Sequence, residues 1–187
     1  MGWRICAIDI RLGMSKRQEI IAYWLVPTAE HTARFQNVVD KLADQQGAPR
    51  FHPHLSFGSF TDTEPDLDEV LQLLSGLELS PTEVAQLPSF TMSLFVRFEP
   101  TEQILRARAA LETRPGFRTS RAFDPHISLC YGAPKNRGEL QAEINALLDR
   151  PVQFDRLIET IITLPVESHA DVELWTQRAV HQIPNTN

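Results

Sequence analysis

Six residues occur twice in this chain, as Phe51-His52-Pro53-His54-Leu55-Ser56 and again as Phe123-Asp124-Pro125-His126-Ile127-Ser128. Four of the six positions are identical, a fifth exchanges Leu for Ile, and the copies lie 72 positions apart (126 − 54). That spacing is near half of the chain once the N-terminal segment is set aside. It points to two related lobes, each donating one copy to a shared cleft. Each copy opens an extended run, where side chains alternate between faces. His54 and Ser56 therefore share one face while Leu55 and Phe57 take the other, and His126 and Ser128 oppose Ile127 and Leu129 in the same way. Pro53 and Pro125 sit where a strand begins and no ladder donor is needed.

The segments between the copies alternate strand and helix. Ile20 to Val26 reads as a strand stopped by Pro27. Thr28 is placed to cap a helix carrying Phe35, Val38, Val39 and Leu42, with Gly47 and Pro49 ending it. His54 to Phe60 is the next strand, and Leu67, Val70, Leu71 and Leu74 mark a second helix. Strands are expected near Thr82 to Leu87 and Phe90 to Phe98. The second half repeats the design: a helix capped by Thr101 with Ile104, Leu105, Arg108 and Leu111, and a strand from His126 to Tyr131. A helix with Leu140, Ile144, Leu147 and Leu148 follows, then strands near Leu157 to Leu164 and Val172 to Ile183. Interleaving of this kind indicates an α/β or α+β fold. No linker divides it, so residues 14–187 are expected to form a single domain. Residues 1–13 read either as an extension ahead of a start at Met14 or as an extra edge strand.

The 187 residues carry a net charge of −6, which argues against a general nucleic-acid coat and so against a stable nucleic-acid partner. Two cysteines, Cys6 and Cys130, make no disulfide framework. No run approaches the roughly 20 apolar residues that cross a bilayer. A reducing, cytoplasmic setting without membrane attachment is expected. Oligomeric state is not written in the sequence.

Two imidazoles and two hydroxyls facing one small volume suit in-line hydrolysis of a phosphodiester. One His takes a proton from water, the other gives one to the leaving oxygen, and an imidazole near pKa 6.5 serves in either role. The hydroxyls hold the non-bridging oxygens. His54 and His126 are thus the candidate catalytic pair, and Ser56 and Ser128 the candidate phosphate ligands. No metal or other cofactor is needed for that chemistry. A single His-x-Ser has an ordinary structural reading; two copies in a shared Phe-x-Pro frame shift the balance to function.

The pair of motifs, each starting a strand in one of two lobes, resembles the two-histidine phosphoesterase superfamily. The run Tyr23-Trp24-Leu25-Val26-Pro27, then a helix, then Phe51-His52-Pro53-His54, resembles the cyclic phosphodiesterases of plants and yeast, as does His126-Ile127-Ser128-Leu129-Cys130-Tyr131. The resemblance implies a bilobal α+β fold: two pseudo-symmetric lobes of antiparallel sheet, with outer helices, around a central cleft. It implies hydrolysis of a small nucleotide-like cyclic phosphate, ADP-ribose 1″,2″-cyclic phosphate or a nucleoside 2′,3′-cyclic phosphate. It also implies His54 and His126 as acid/base pair, with Ser56 and Ser128 on the phosphate where the family often has Thr. Two other readings stay open: an RNA 2′,5′-phosphodiesterase or ligase-like enzyme acting on RNA ends, and a non-catalytic nucleotide-binding module.

Trp24 and Tyr131 flank the motifs and are candidate substrate contacts, since a base needs a flat apolar partner. Phe57, Phe60 and Phe95 read as core. His52 stands two residues from His54, and with Asp124 and His126 could form a metal site that would leave the serines without a role. Arg97, Arg118 and Arg121 are candidate phosphate-charge partners, and the loop from Gly116 to Ala122 could close over a substrate. His31, His169 and His181 read as surface residues.

Overall fold

The structure is a computed structural model that describes residues 17–62, 64–118, 122–132 and 138–185. The segment 1–13, Met14, Cys6 and Arg121 lie outside the described residues. In chain order the elements are β1 (Gln18–Pro27), α1 (Ala29–Gln46), β2 (Leu55–Phe60), α2 (Asp68–Leu73), β3 (Glu78–Leu79), β4 (Pro81–Ala85) and β5 (Leu94–Phe98). There follow α3 (Glu102–Glu112), β6 (His126–Cys130), α4 (Gln141–Ala146), β7 (Val152–Leu164), α5 (His169–Glu173) and β8 (Thr176–Gln182).

The strands form a sheet in the order β3-β7-β1-β2-β6-β5-β4, with β8 also on β7, and their pairings are antiparallel. The α+β expectation holds, and the two motif strands meet at the centre, where Leu55 pairs with Ile127. On one side of that seam lie β1, β7 and β8; on the other lie β5 and β4. The connectivity crosses it. Strand β4 follows the first motif yet pairs with β5, and β7 follows the second motif yet pairs with β1. Neither half of the chain completes its own lobe, which explains why no linker appears in the sequence.

Burial follows from composition and register. Strand β1 is exposed at Gln18 and Glu19 and then apolar on both faces and buried from Ile20 to Pro27, as suits a strand covered on both sides. Its Ile21, Tyr23 and Leu25 join Phe35, Val38 and Leu42 of α1, Leu55, Phe57 and Phe60 of β2, and Ile104, Ala107 and Leu111 of α3 in one core. Helix α1 stops at Gly47, whose φ of 62° is the left-handed conformation that glycine adopts without penalty.

Several expectations are corrected. Thr28 stands at the N-cap of α1 but its hydroxyl makes no cap bond; it lies 3.1 Å from His31 Nδ1. His31 is buried, not at the surface, because that same nitrogen also accepts from Gln153 N–H, tying α1 to β7. Leu105 is exposed and Ala107 takes the core position, since the 100° step per residue places 104, 107 and 111 on one face. Residues 90–93 turn before β5 begins at Leu94. Val172 belongs to α5, because Ser168 and Asp171 form a reciprocal capping box that starts a helical turn where strand was expected.

A bulge shapes β2. Tyr23 pairs with Gly58 but Trp24 with Ser56, so Phe57 is an extra residue. Phe57 and Gly58 both turn toward α3, and the Phe57 carbonyl accepts from the Arg108 guanidinium. Arg108 is itself held over the rings of Phe117 and Phe123, 4.7 and 5.1 Å from their centroids. A Cβ on Gly58 would stand 2.7 Å from Leu111 Cδ2 and 3.1 Å from Phe117 Cε2, and Leu111 is fully buried. Gly58→Ala is therefore expected to lower stability by about 1–3 kcal/mol, the usual range for overpacking. Urea denaturation would show it; an unchanged midpoint would contradict the close approach of α3.

Candidate functional site

The antiparallel pairing of Leu55 with Ile127 decides the layout. With both of these in the core, their neighbours emerge on the opposite face: His54 across from Ser128, and Ser56 across from His126. The row continues outward, for Arg97 of β5 pairs with His126 and Trp24 of β1 pairs with Ser56. All four motif side chains expected to converge are thus carried on one face of two adjacent strands.

The two imidazoles are oriented alike. His54 Nδ1 lies 2.7 Å from the His52 carbonyl, and His126 Nδ1 lies 2.7 Å from the Asp124 carbonyl. A carbonyl only accepts, so each Nδ1 carries the proton and each Nε2 is left with a lone pair. The repeat thereby produces one tautomer twice. Asp124 is in turn gripped by Arg97, with Nε to Oδ1 at 2.9 Å and Nη2 to Oδ2 at 3.2 Å. Arg97 also pairs with Glu83. Its charge is therefore committed to carboxylates, and its part in the site is to fix the Asp124 carbonyl that aligns His126.

The symmetry ends at the surroundings. The His54 ring stacks on Trp24 with centroids 3.7 Å apart and planes at 14°, and the edge of Trp175 stands 6.0 Å away. His126 is half-buried, with Phe95 at 5.1 Å edge-on. Burial pushes the His54 imidazole down to about 3, with its bond to the His52 carbonyl opposing and the neighbouring His52 and His126 adding to the depression. Burial also lowers His126, opposed by the bond to Asp124 and by that residue's carboxylate. The serines differ too. Ser56 is exposed, whereas Ser128 is buried and donates to the Thr91 carbonyl at 2.9 Å.

Tyr131 is 4 % exposed, its ring stacked on Phe51 at 4.0 Å and flanked by Phe90 at 5.9 Å. Its phenol bonds with Ser128, and burial raises its pKa. Trp24 is 8 % exposed and covered on one side by His54. Both aromatics belong to the site's wall. Phe57, Phe60 and Phe95 are core as expected. Trp175 was not singled out by sequence, although it contacts Trp24 at 5.1 Å and Tyr131 at 5.7 Å. Its signal was there: one of three tryptophans, just after the helical turn that the Ser168-x-x-Asp171 box opens.

His52 is exposed with Nδ1 3.1 Å from the Pro53 carbonyl, and the Asp124 carboxylate is held by Arg97. Among the described residues no group of three or more His, Cys, Asp or Glu is arranged to hold a metal ion, so His52, His54, Asp124 and His126 do not form a ligand set. Arg118 bonds Gln18, and its backbone N–H donates to the Ser59 carbonyl at the end of β2 far from His54. Part of the loop from Gly116 to Ala122 lies outside the described residues. His169 is exposed as expected, and His181 is partly exposed and bonded to Glu159 at 2.8 Å.

The depressed His54 pKa makes a stability statement. Its folded value lies below the unfolded 6.5, so the protonated form is disfavoured in the fold; that contribution is full above pH 6.5 and is lost as pH falls toward 3. Between pH 7.5 and 5 the wild-type chain should lose about 2 kcal/mol that His54→Phe does not, taking 1.36 kcal/mol per pH unit below 6.5. Denaturant midpoints at the two pH values measure the difference. Equal losses in both proteins would mean that His54 takes up its proton as readily folded as unfolded.

No family model matches the sequence, and no curated protein matches it in sequence. Among solved structures the chain is similar to Escherichia coli LigT complexed with NADP+, at TM-score 0.50 and 14 % identity over 90 % of this chain and 99 % of that one. LigT in apo form gives 0.49 and 14 % over 91 % and 99 %, and Usb1 of Kluyveromyces marxianus gives 0.38 and 14 % over 80 % and 99 %. At such identity the likeness concerns the backbone, and it says one thing: this chain shares the fold of LigT.

Proposed function

We propose that this chain is a metal-independent phosphodiesterase that opens a small cyclic phosphodiester, either a nucleoside 2′,3′-cyclic phosphate or ADP-ribose 1″,2″-cyclic phosphate. The observation that supports the reading is the matched pair of Nδ1 bonds at 2.7 Å, which leaves an unprotonated Nε2 on each imidazole, on the strand face that also carries Ser56 and Ser128. The LigT-like fold supports it, and LigT itself accommodates a dinucleotide, NADP+. A cytoplasmic setting belongs to the same reading: among the described residues no helix is long and apolar enough to cross a membrane, and Cys130 is a buried free thiol.

In the proposed reaction water attacks phosphorus while one Nε2 takes its proton. The opposite P–O bond of the ring breaks, and the second imidazole, charged, gives its Nε2 proton to the leaving oxygen. Holding the phosphate between the pair makes attack and departure oriented events. Ser56 donates to a non-bridging oxygen. Ser128 does so by exchanging its bond to Thr91 for one to phosphate, while Tyr131 keeps the hydroxyl in place. A nucleoside substrate yields the 2′-phosphate.

With EDTA in excess, a 2′,3′-cyclic nucleotide and ADP-ribose cyclic phosphate should be turned over, and His54→Ala and His126→Ala should each lose about 10²–10⁴-fold. Abolition by EDTA would establish a metal hydrolase instead. Turnover confined to RNA bearing a cyclic phosphate end would establish an RNA-end enzyme. Binding without turnover would establish a nucleotide-binding module.

The pH dependence follows from the free protein. One imidazole must be neutral and the other charged, and both pKa values lie below 6.5. The alkaline limb of kcat/KM should therefore fall below pH 6.5. That of kcat should lie higher, because a bound phosphate anion favours imidazolium. A kcat/KM profile still rising above pH 7 would contradict the buried, neutral pair.

A further inference from the structure

The two copies of the motif differ in charge at one position, where the first has His52 and the second Asp124. Both residues use their carbonyls alike, each accepting from an Nδ1 at 2.7 Å. Their side chains do different things. The His52 imidazole is exposed and lies against the Pro53 carbonyl, 3.1 Å away. The Asp124 carboxylate is held by both nitrogens of Arg97, the cross-strand partner of His126.

The charged groups around each imidazole therefore differ. Beside His126 stand Asp124, Arg97 and, bonded to Arg97, Glu83, a set whose formal charges sum to −1 (+1 − 2). His54 instead lies between Trp24 and Trp175, and the titratable groups that face it are the imidazoles of His52 and His126. Arg50, in the cavity wall that also includes His52, is paired with Asp40 and Asp44. The Tyr131 phenol, bonded to Ser128, stays neutral because burial raises it. Burial lowers both imidazoles, but at His126 alone a carboxylate opposes it. Burial disfavours an imidazolium and a neighbouring carboxylate favours it, so these surroundings set apart two groups that the repeat made alike. Like groups separated in this way take opposite roles in proton transfer.

We propose that the unmatched pair His52 and Asp124 ranks the catalytic imidazoles, so that the one proton of the active form rests on His126 while His54 stays neutral. The inference rests on the function proposed above. Asp124 is then a positioning residue, acting through His126. The lone pair of His54 Nε2 takes a proton from the attacking water as its oxygen bonds phosphorus. The opposite P–O bond breaks, and its oxygen receives the proton of His126 Nε2. The imidazoles have then exchanged states, and proton exchange with solvent restores them.

Nitrogen-15 NMR of the histidine side chains across pH reads the ranking in the free protein: His126 should charge while His54 is still neutral. Asp124→Asn keeps the carbonyl and an acceptor for Arg97 but removes the charge. It should move the His126 midpoint and the alkaline limb of kcat/KM down by about 0.5–1 pH unit. His52→Asp should narrow the gap from the other side, by raising His54. The roles are separated by leaving group, since a nucleoside 2′,3′-cyclic phosphate expels an alkoxide that needs a proton and 4-nitrocatechol cyclic phosphate expels a phenolate that does not. The ratio of kcat/KM values, nucleoside over nitrocatechol, should fall about 10-fold or more in His126→Ala and stay within about 3-fold in His54→Ala. Circular dichroism checks that each variant is folded. The opposite pattern of ratios, His54 charging first, or a His126 midpoint unmoved in folded Asp124→Asn would overturn the ranking. A wild type that hydrolyses neither cyclic phosphate, with its histidines titrating as described, would uphold the ranking and overturn the proposed activity.

Discussion

One backbone pairing, Leu55 with Ile127, determines where the motif side chains stand. Both are fully buried, so the register between β2 and β6 is held by the core. A slip by one residue would exchange the faces of the slipped strand, sending its imidazole inward and its aliphatic residue to the cleft. The chemistry of the site is therefore insured by hydrophobic burial of residues that touch no substrate. The seam is short, and other contacts brace it. Phe51 of the first copy stacks on Tyr131 beyond the second, and Phe123 of the second meets Phe57 beyond the first. Each frame phenylalanine reaches across to the other motif.

Exchange of strands reinforces that arrangement. Because β4 completes the lobe of the second motif and β7 that of the first, the two halves of the chain cannot separate without breaking sheet pairing in both lobes. The residues around the cleft follow the same logic at smaller scale. Arg97 clamps Asp124, whose carbonyl orients His126, while Arg108 bonds the Phe57 carbonyl next to Ser56. Two arginines thus act on the site through its backbone.

Much of this was legible in the sequence because it depends on period and repetition. Alternation along a strand placed His54 with Ser56 and His126 with Ser128, and the shared Phe-x-Pro frame revealed the second copy. What was not legible depends on pairs of residues distant in the chain. Nothing local to Tyr23-Trp24 or Phe57-Gly58 announces a bulge, which exists only when β1 and β2 are aligned. The burial of His31 depends on Gln153 N–H, and the role of Arg97 on Asp124, 27 positions away. Symmetry in sequence also concealed asymmetry in burial: His54 lies under two tryptophans, while His126 meets one phenylalanine edge.

The central claim is that both imidazoles address one phosphate through Nε2. Nitrogen-15 NMR of the histidine side chains, during titration with a nucleoside 2′-phosphate, tests it without requiring turnover. The account predicts Nδ1–H tautomers for His54 and His126 in the free protein. It further predicts that the Nε2 resonances of both move together, with one dissociation constant and one ligand bound per chain. Movement of only one of the two, or two independent dissociation constants, would contradict it.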